Sequence, residues 1–356
     1  MNRRLATLVS PVTTTDADVD RRPRYVLLVV LAGCIVTGAL IGLAITVTTT
    51  AGEITSGPLV EFGLAVSRSI LDGSAVVTLG MSLLPKLVVP ESSEGLARAL
   101  GSARLIAVVS SAVWLVSALV SVLLEIVDIN VGQPLTLGVI RQYVSGVGAG
   151  QAHILVACAA LVYLVLAVLA LRRGEQVPAE MRIAVAVFAL LPLSATGHAS
   201  VSGAVNLRLV ALVSIQVHVI SAVAWTGGLL AVMLLLGLDR TLLAGALPRF
   251  SKLATVCVFL TGFTGLFNGW FELYSTPGVH WYLALFTTGY GWVLIGKVLC
   301  VLTAGLLGGY TRFRLLPKII ERRPTAVAAW TTVEIGVLAV AFGLAAVLIR
   351  APVVTG

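Results

Sequence analysis

The sequence predicts an all-α polytopic transmembrane helix bundle of about nine spans, with its N-terminus inside and its C-terminus outside. Three observations predict it: composition, the segmentation of the apolar residues, and the one-sided placement of the basic ones. Of 356 residues, 58% are hydrophobic and 11% are charged, well under the quarter or so of charged residues that a soluble domain carries. Crossing a hydrocarbon layer takes about 20 apolar residues of helix. Nine segments meet that length or come near it.

A polar leader, 1–24, precedes the first apolar segment, 25–47. No small-residue cleavage site follows a compact apolar core, so this segment reads as a retained helix and not a signal peptide. Further spans are expected at 66–89, 104–124 and 151–171. The fifth, 183–198, is short and contains Pro192, which blurs its ends. Four more follow at 208–238, 251–272, 289–311 and 327–349. The charged stretch RRGEQVPAEMR divides a four-helix N-terminal region, 25–180, from a five-helix region, 181–352.

Orientation follows from lysine and arginine, which accumulate on the cytoplasmic side of membrane proteins. With the leader inside, nineteen of the 24 fall on the inner side, among them Arg104, Arg172, Arg173, Arg182, Arg249 and Arg312. Arg68, Arg141, Arg208 and Arg350 are left for the outer side, and Lys297 falls within a span. The net charge of +8 is thus spent on topology, and its scatter in short clusters speaks against a nucleic-acid surface. Cys34, Cys158, Cys257 and Cys300 all sit in apolar spans, where they read as small buried hydrophobes. No nucleophile–base set, HExxH, P-loop or dinucleotide fingerprint is present, so an enzyme is not expected.

The polar residues inside the spans carry the functional expectation. SIQVHVISAVAWTGG, 214–228, places His218 in an apolar run, and ionisable residues within the membrane are rare and functional by default. At 1.5 Å per residue, a count outward from Asp239 and Arg240 sets His218 near the external surface. The same count from Arg172 sets His153 at the outer end of its span, and from Arg182 sets His198 there too. His280 falls in an outer loop. An interfacial or loop position is explanation enough for His198 and His280. His218 and His153 ask for more. Neutral imidazole is a ligand for copper, zinc and iron, and two histidines on different helices also suit a haem; spacing does not separate the two.

Buried charges complete the inventory. Asp72, Lys297 and Glu334 each need a partner within the bundle, and Glu334 and Lys297 differ in depth by about 10 Å. They read as a structural pair or as a proton or cation relay. Asn268 and Glu272, at the outer end of their span, are candidates to support a metal ligand from behind. Gly227, Gly228, Gly262 and Gly265 read as packing positions.

Several of these residues lie in runs that resemble a known family. TGHAS (196–200), VHVISAVAWTGGL (217–229), RFSKLATVCVFLTGFTGLFNGW (249–270), YGWVLIGKVLCV (290–301) and VEIGVLAVAFGLAAVLIRAP (333–352) resemble the membrane domain of the copper resistance protein D (CopD) family. Their order covers about 185–352. The resemblance implies a multi-pass plasma-membrane protein of copper handling, with His198 and His218 as candidate copper ligands and Lys297 and Glu334 as characteristic polar residues. His153 and the first four spans match less distinctly. They resemble the N-terminal helices of longer relatives whose second membrane domain, assigned to oxidase assembly, is absent here.

The expectation is therefore copper transport or delivery across the plasma membrane, with copper captured at the external face by helix-end histidines. His198 and His218, together with His153, are the candidate metal ligands; Lys297, Glu334, Asn268 and Asp72 are the supporting polar residues. The partners this implies are the copper ion, the lipid bilayer and an external copper-binding protein or oxidase, and no nucleic acid. Two alternatives stay open: a haem-binding membrane electron carrier, and a non-transporting factor that metallates a cuproenzyme such as cytochrome oxidase.

Overall fold

The computed structural model describes residues 22–47, 57–90, 93–130, 134–194, 205–276, 278, 280–321, 325–351 and 353. They form helices alone: α1 Arg22–Val47, α2 Pro58–Leu87, α3 Glu94–Ile129, α4 Leu137–Gly146, α5 Gly148–Arg173, α6 Ala179–Ser194, α7 Val205–Leu236, α8 Arg240–Ser275, α9 Trp281–Thr287, α10 Gly289–Tyr310, α11 Leu316–Ile320 and α12 Val327–Leu348. A π-helical turn, Thr311–Leu315, joins α10 to α11. Eight of the described helices are long and apolar enough to cross a membrane. The architecture is an all-α polytopic bundle.

Helix α6 corresponds to the short fifth span and is described over 16 residues. It begins beside the end of α2, where Glu180 pairs with Lys86, and its Leu190 reaches the level of His218 in a shared cavity. The following helix, α7, runs back, and its Gly228 already stands level with Leu87 at the end of α2. The pair therefore runs antiparallel.

Local chemistry sets the helix ends. The Ser93 hydroxyl accepts from Leu96 N–H at 3.2 Å, and Asp239 accepts from Thr241 and Leu242 N–H at 2.9 and 3.1 Å. Thr288 accepts from Gly291 N–H at 3.0 Å at the start of α10. Each satisfies a donor that the first helical turn leaves open.

Helices α2 and α7 are the most buried and form the centre. They meet backbone to backbone, since a Cβ on Gly80 would collide with Gly227 and one on Gly227 with Val76. In lipid, where apolar side chains gain nothing by leaving solvent, such close approach is what holds helices together. Hydrogen bonds add to it: Thr78 to Ser110 at 2.8 Å, Ser82 to Tyr163 at 2.5 Å and Ser121 to Ser67 at 3.2 Å link α2 with α3 and α5. Helix α1 packs chiefly on α12, with Gly38 and Gly343 at the contact. Helices from the two halves of the sequence thus interleave.

Charged contacts gather at the two ends of the bundle. At one end are Lys86–Glu180, Arg104–Glu175 (3.9 Å), and Arg312, which donates to the Ser251 carbonyl at 2.9 Å and the Thr255 hydroxyl at 2.6 Å. Towards the other are Arg68–Asp72 (3.2 Å), Arg350–Asp128, and Tyr143 donating to Glu125. Every basic residue in the first group belongs to the side that the sequence assigns to the cytoplasm.

Candidate functional site

A cavity of about 420 Å³ lies between α7 and α8 on one side and α10 and α12 on the other. It runs from Glu272 and Ile349, towards the end of the bundle that holds the Arg350–Asp128 pair, to Trp225, which forms its floor. His218, Lys297, Asp72 and Asn268 all line it. Its walls are otherwise largely apolar, and Leu266 and Leu302, 63% and 58% exposed, mark where it faces sideways between α8 and α10. Those two helices touch at few points.

His218 sits in this cavity with its ring fixed. Nδ1 lies 3.0 Å from the Thr261 carbonyl and 3.3 Å from the Thr264 hydroxyl. A carbonyl only accepts, so Nδ1 carries the proton and Nε2 keeps the lone pair that a neutral imidazole offers a metal. Ser221 supports this arrangement by bonding Thr261 Oγ1 at 2.8 Å. The Thr264 hydroxyl in turn donates to the Leu260 carbonyl. The ring needs the absence of a side chain opposite: a Cβ on Gly265 would lie 2.9 Å from His218 Cε1.

His218 stands in the middle of its helix. It is the fourteenth residue of α7, about 20 Å from the start of that helix. It stands level with Thr261, ten residues or about 15 Å from Ser251, where Arg312 anchors. The α7–α8 hairpin projects past the level at which Arg249 meets the Val88 carbonyl before turning at Asp239. His218 is a mid-helix residue at the bottom half of a cavity, and not a helix-end one.

The other polar residues separate into two groups. Lys297 of α10 and Asp72 of α2 face the same cavity as His218, and Asp72 is held by Arg68 at 3.2 Å. Asn268 lines it too, with its Nδ2 buried and without a hydrogen-bond partner. Glu334 lies below. It is 2% exposed, lies beside the Trp225 indole and packs on Gly308 of α10. Glu334 and Lys297 form no ion pair with each other; the neighbour of the carboxylate is Trp225, two helical turns from His218 on the same face of α7.

His153 does not line the cavity. It is buried between α5 and α3, with Nδ1 3.0 Å from the Ala149 carbonyl and 3.4 Å from Glu125. Glu125 also accepts from Tyr143 of α4, and burial followed by this hydrogen bond pushes the Tyr143 phenol upward from its ordinary value. His280 is exposed, its ring centroid 5.9 Å from that of Tyr282. His198 lies outside the described residues. Among the described residues no group of three His, Cys, Asp or Glu could hold a metal, and His218 is the one histidine in the cavity.

Sequence reasoning did not find Thr261 and Thr264 as the partners of His218, nor Trp225 as that of Glu334. It read Gly265 as a packing position. Trp225 follows His218 by seven residues and so shares its face, which places it on the cavity side of α7 but does not point to Glu334.

Residues 59–208 match the family described as copper resistance protein D-like, N-terminal domain, and residues 244–348 match that described as copper resistance protein D. Copper transport protein CutJ of Bacillus subtilis (strain 168) is 36% identical over 113 residues, which are 30% of this chain and 19% of that relative. No solved structure matches. With the two family matches lying in order across the bundle and the second including Lys297, Glu334 and the α8 wall of the cavity, the chain belongs to the copper resistance protein D family.

Proposed function

We propose that this protein moves copper across the plasma membrane, or delivers it within that membrane, taking it from the external side through the cavity to His218. The observation that carries this reading is the fixed His218 imidazole, whose Nδ1 is bound to the Thr261 carbonyl and whose Nε2 is left for a metal. Such a second hydrogen bond orients a ligating histidine and raises its basicity. CutJ, which is named as a copper transport protein, is similar over part of the chain. His198 and His153 are the further candidate ligands; Lys297, Asp72 and Asn268 set the charge and polarity around the ion, and Glu334 lies on the inward side.

The test is copper content and copper uptake of the reconstituted protein, for wild type and His218→Ala. Copper bound and taken up by the wild type, and both lost in the variant, is the expected result. Copper bound without uptake marks a delivery protein. Equal stoichiometry and flux in the two proteins would remove His218 from the site.

A further inference from the structure

The cavity is built for more than an ion. A water molecule takes about 30 Å³, and pockets of roughly 300–1,000 Å³ with mainly apolar walls and a few convergent polar groups are those that hold small organic molecules. This one has about 420 Å³ and that kind of wall. Among the described residues its metal-binding equipment is sparse by contrast: one imidazole, and no cysteine or methionine in the lining.

Its charges are also wrong for a bare cation. Lys297 stands in the same chamber as His218, and an ammonium there repels a second positive charge in a medium that screens poorly. Among the described residues the Lys297 ammonium makes no hydrogen bond. Asp72 lines the same cavity and already holds Arg68 at 3.2 Å. Glu272 lies in the outer part of the cavity. Asn268 adds a buried amide Nδ2 donor without a partner. A cation donor and an amide donor, with an imidazole lone pair in one apolar chamber, are complementary to a metal that arrives with a carboxylate attached.

We infer that the cargo enters the cavity as a copper complex of a small carboxylate-bearing ligand, with Lys297 and Asn268 on the carboxylate and His218 on the copper. This rests on the copper reading above and specifies what accompanies the ion. The complex keeps its own amine and carboxylate donors, and His218 Nε2 adds to the copper or displaces a water from it. No electron transfer is involved. The apolar wall accommodates the organic part, and the ligand's carboxylate neutralises the charge that Lys297 would otherwise oppose.

The probe is copper(II) bis-glycinate carrying radioactive copper and carbon-14 glycine, offered to the full-length protein in lipid nanodiscs. The wild type is expected to retain both labels, with one to two glycines per copper. Lys297→Gln should lose the carbon label at least tenfold, and Lys297→Arg should keep it. Copper retained without glycine by the wild type overturns this inference and leaves the copper reading intact. A folded wild type that retains neither label, and that also binds no copper offered in a weakly coordinating buffer, overturns both. The wild-type labels alone decide the matter if Lys297→Gln fails to fold.

Discussion

The His218 imidazole rests on Gly265: a Cβ at that glycine would come within 2.9 Å of ring atom Cε1. Histidine and glycine lie on adjacent helices, α7 and α8, and the ring occupies the space a side chain would take. Gly265→Ala should therefore turn the ring away from the Thr261 carbonyl and weaken copper binding about 10- to 100-fold, the range seen when a group that orients a ligand is lost. Gly265→Val should do worse. Copper titration of the two variants, with thermal unfolding as the check on folding, measures this; affinities equal to wild type would show that the ring's position is irrelevant to binding.

A second expectation concerns the centre of the bundle. Gly80→Leu puts a side chain into the backbone of α7, and overpacking of this kind costs about 1–3 kcal/mol or more. Gly101→Ala meets nothing within 4 Å and should leave stability equal or slightly raised, since alanine is the better helix former. Unfolding in detergent compares the two. Similar losses for both would mean that α2 and α7 are not in close contact.

At the cavity floor, Glu334→Gln retains an acceptor for the Trp225 indole, whereas Glu334→Leu removes it. The second should cost about 1–3 kcal/mol for the unsatisfied donor and the first much less. Tryptophan emission and unfolding midpoint together read the difference. Equal behaviour of the two variants would break the link between Glu334 and Trp225.

Glu180 has a depressed carboxyl pKa because Lys86 hydrogen-bonds to it. A carboxylate lowered in the folded protein adds stability above its unfolded pKa and loses it as pH falls through the folded value. The unfolding midpoint should therefore decline slightly more steeply on acidification for wild type than for Glu180→Gln, below about pH 4.5. The pair is exposed and the effect is small. Identical slopes would show that Lys86 and Glu180 do not interact in solution.

Much of this was legible in the amino acids. The apolar segments gave the helices because each must satisfy its own backbone in lipid. Asp72, Lys297 and His218 stood out as polar groups in apolar runs, and they share one cavity. Three things were not legible. Which helices meet is decided by contacts between distant segments, so the separation of His153 from His218 could not be read from two similar depths. That His218 falls mid-helix, fourteenth of 32 residues, was hidden because hydropathy does not change at the ends of α7. The partnership of Trp225 with Glu334 depends on α7 and α12 lying close, which helical period alone does not state.

Gly80 and Gly227 also constrain how the molecule can breathe. Two helices in backbone contact, each tied to further neighbours, form a keel that resists being parted. The α8 and α10 side, where the wall is thin and two leucines look out into the lipid, has no such bracing. Widening of the chamber thus falls to that flank, and the thickness and fluidity of the surrounding bilayer become part of what sets how readily a solute gets in.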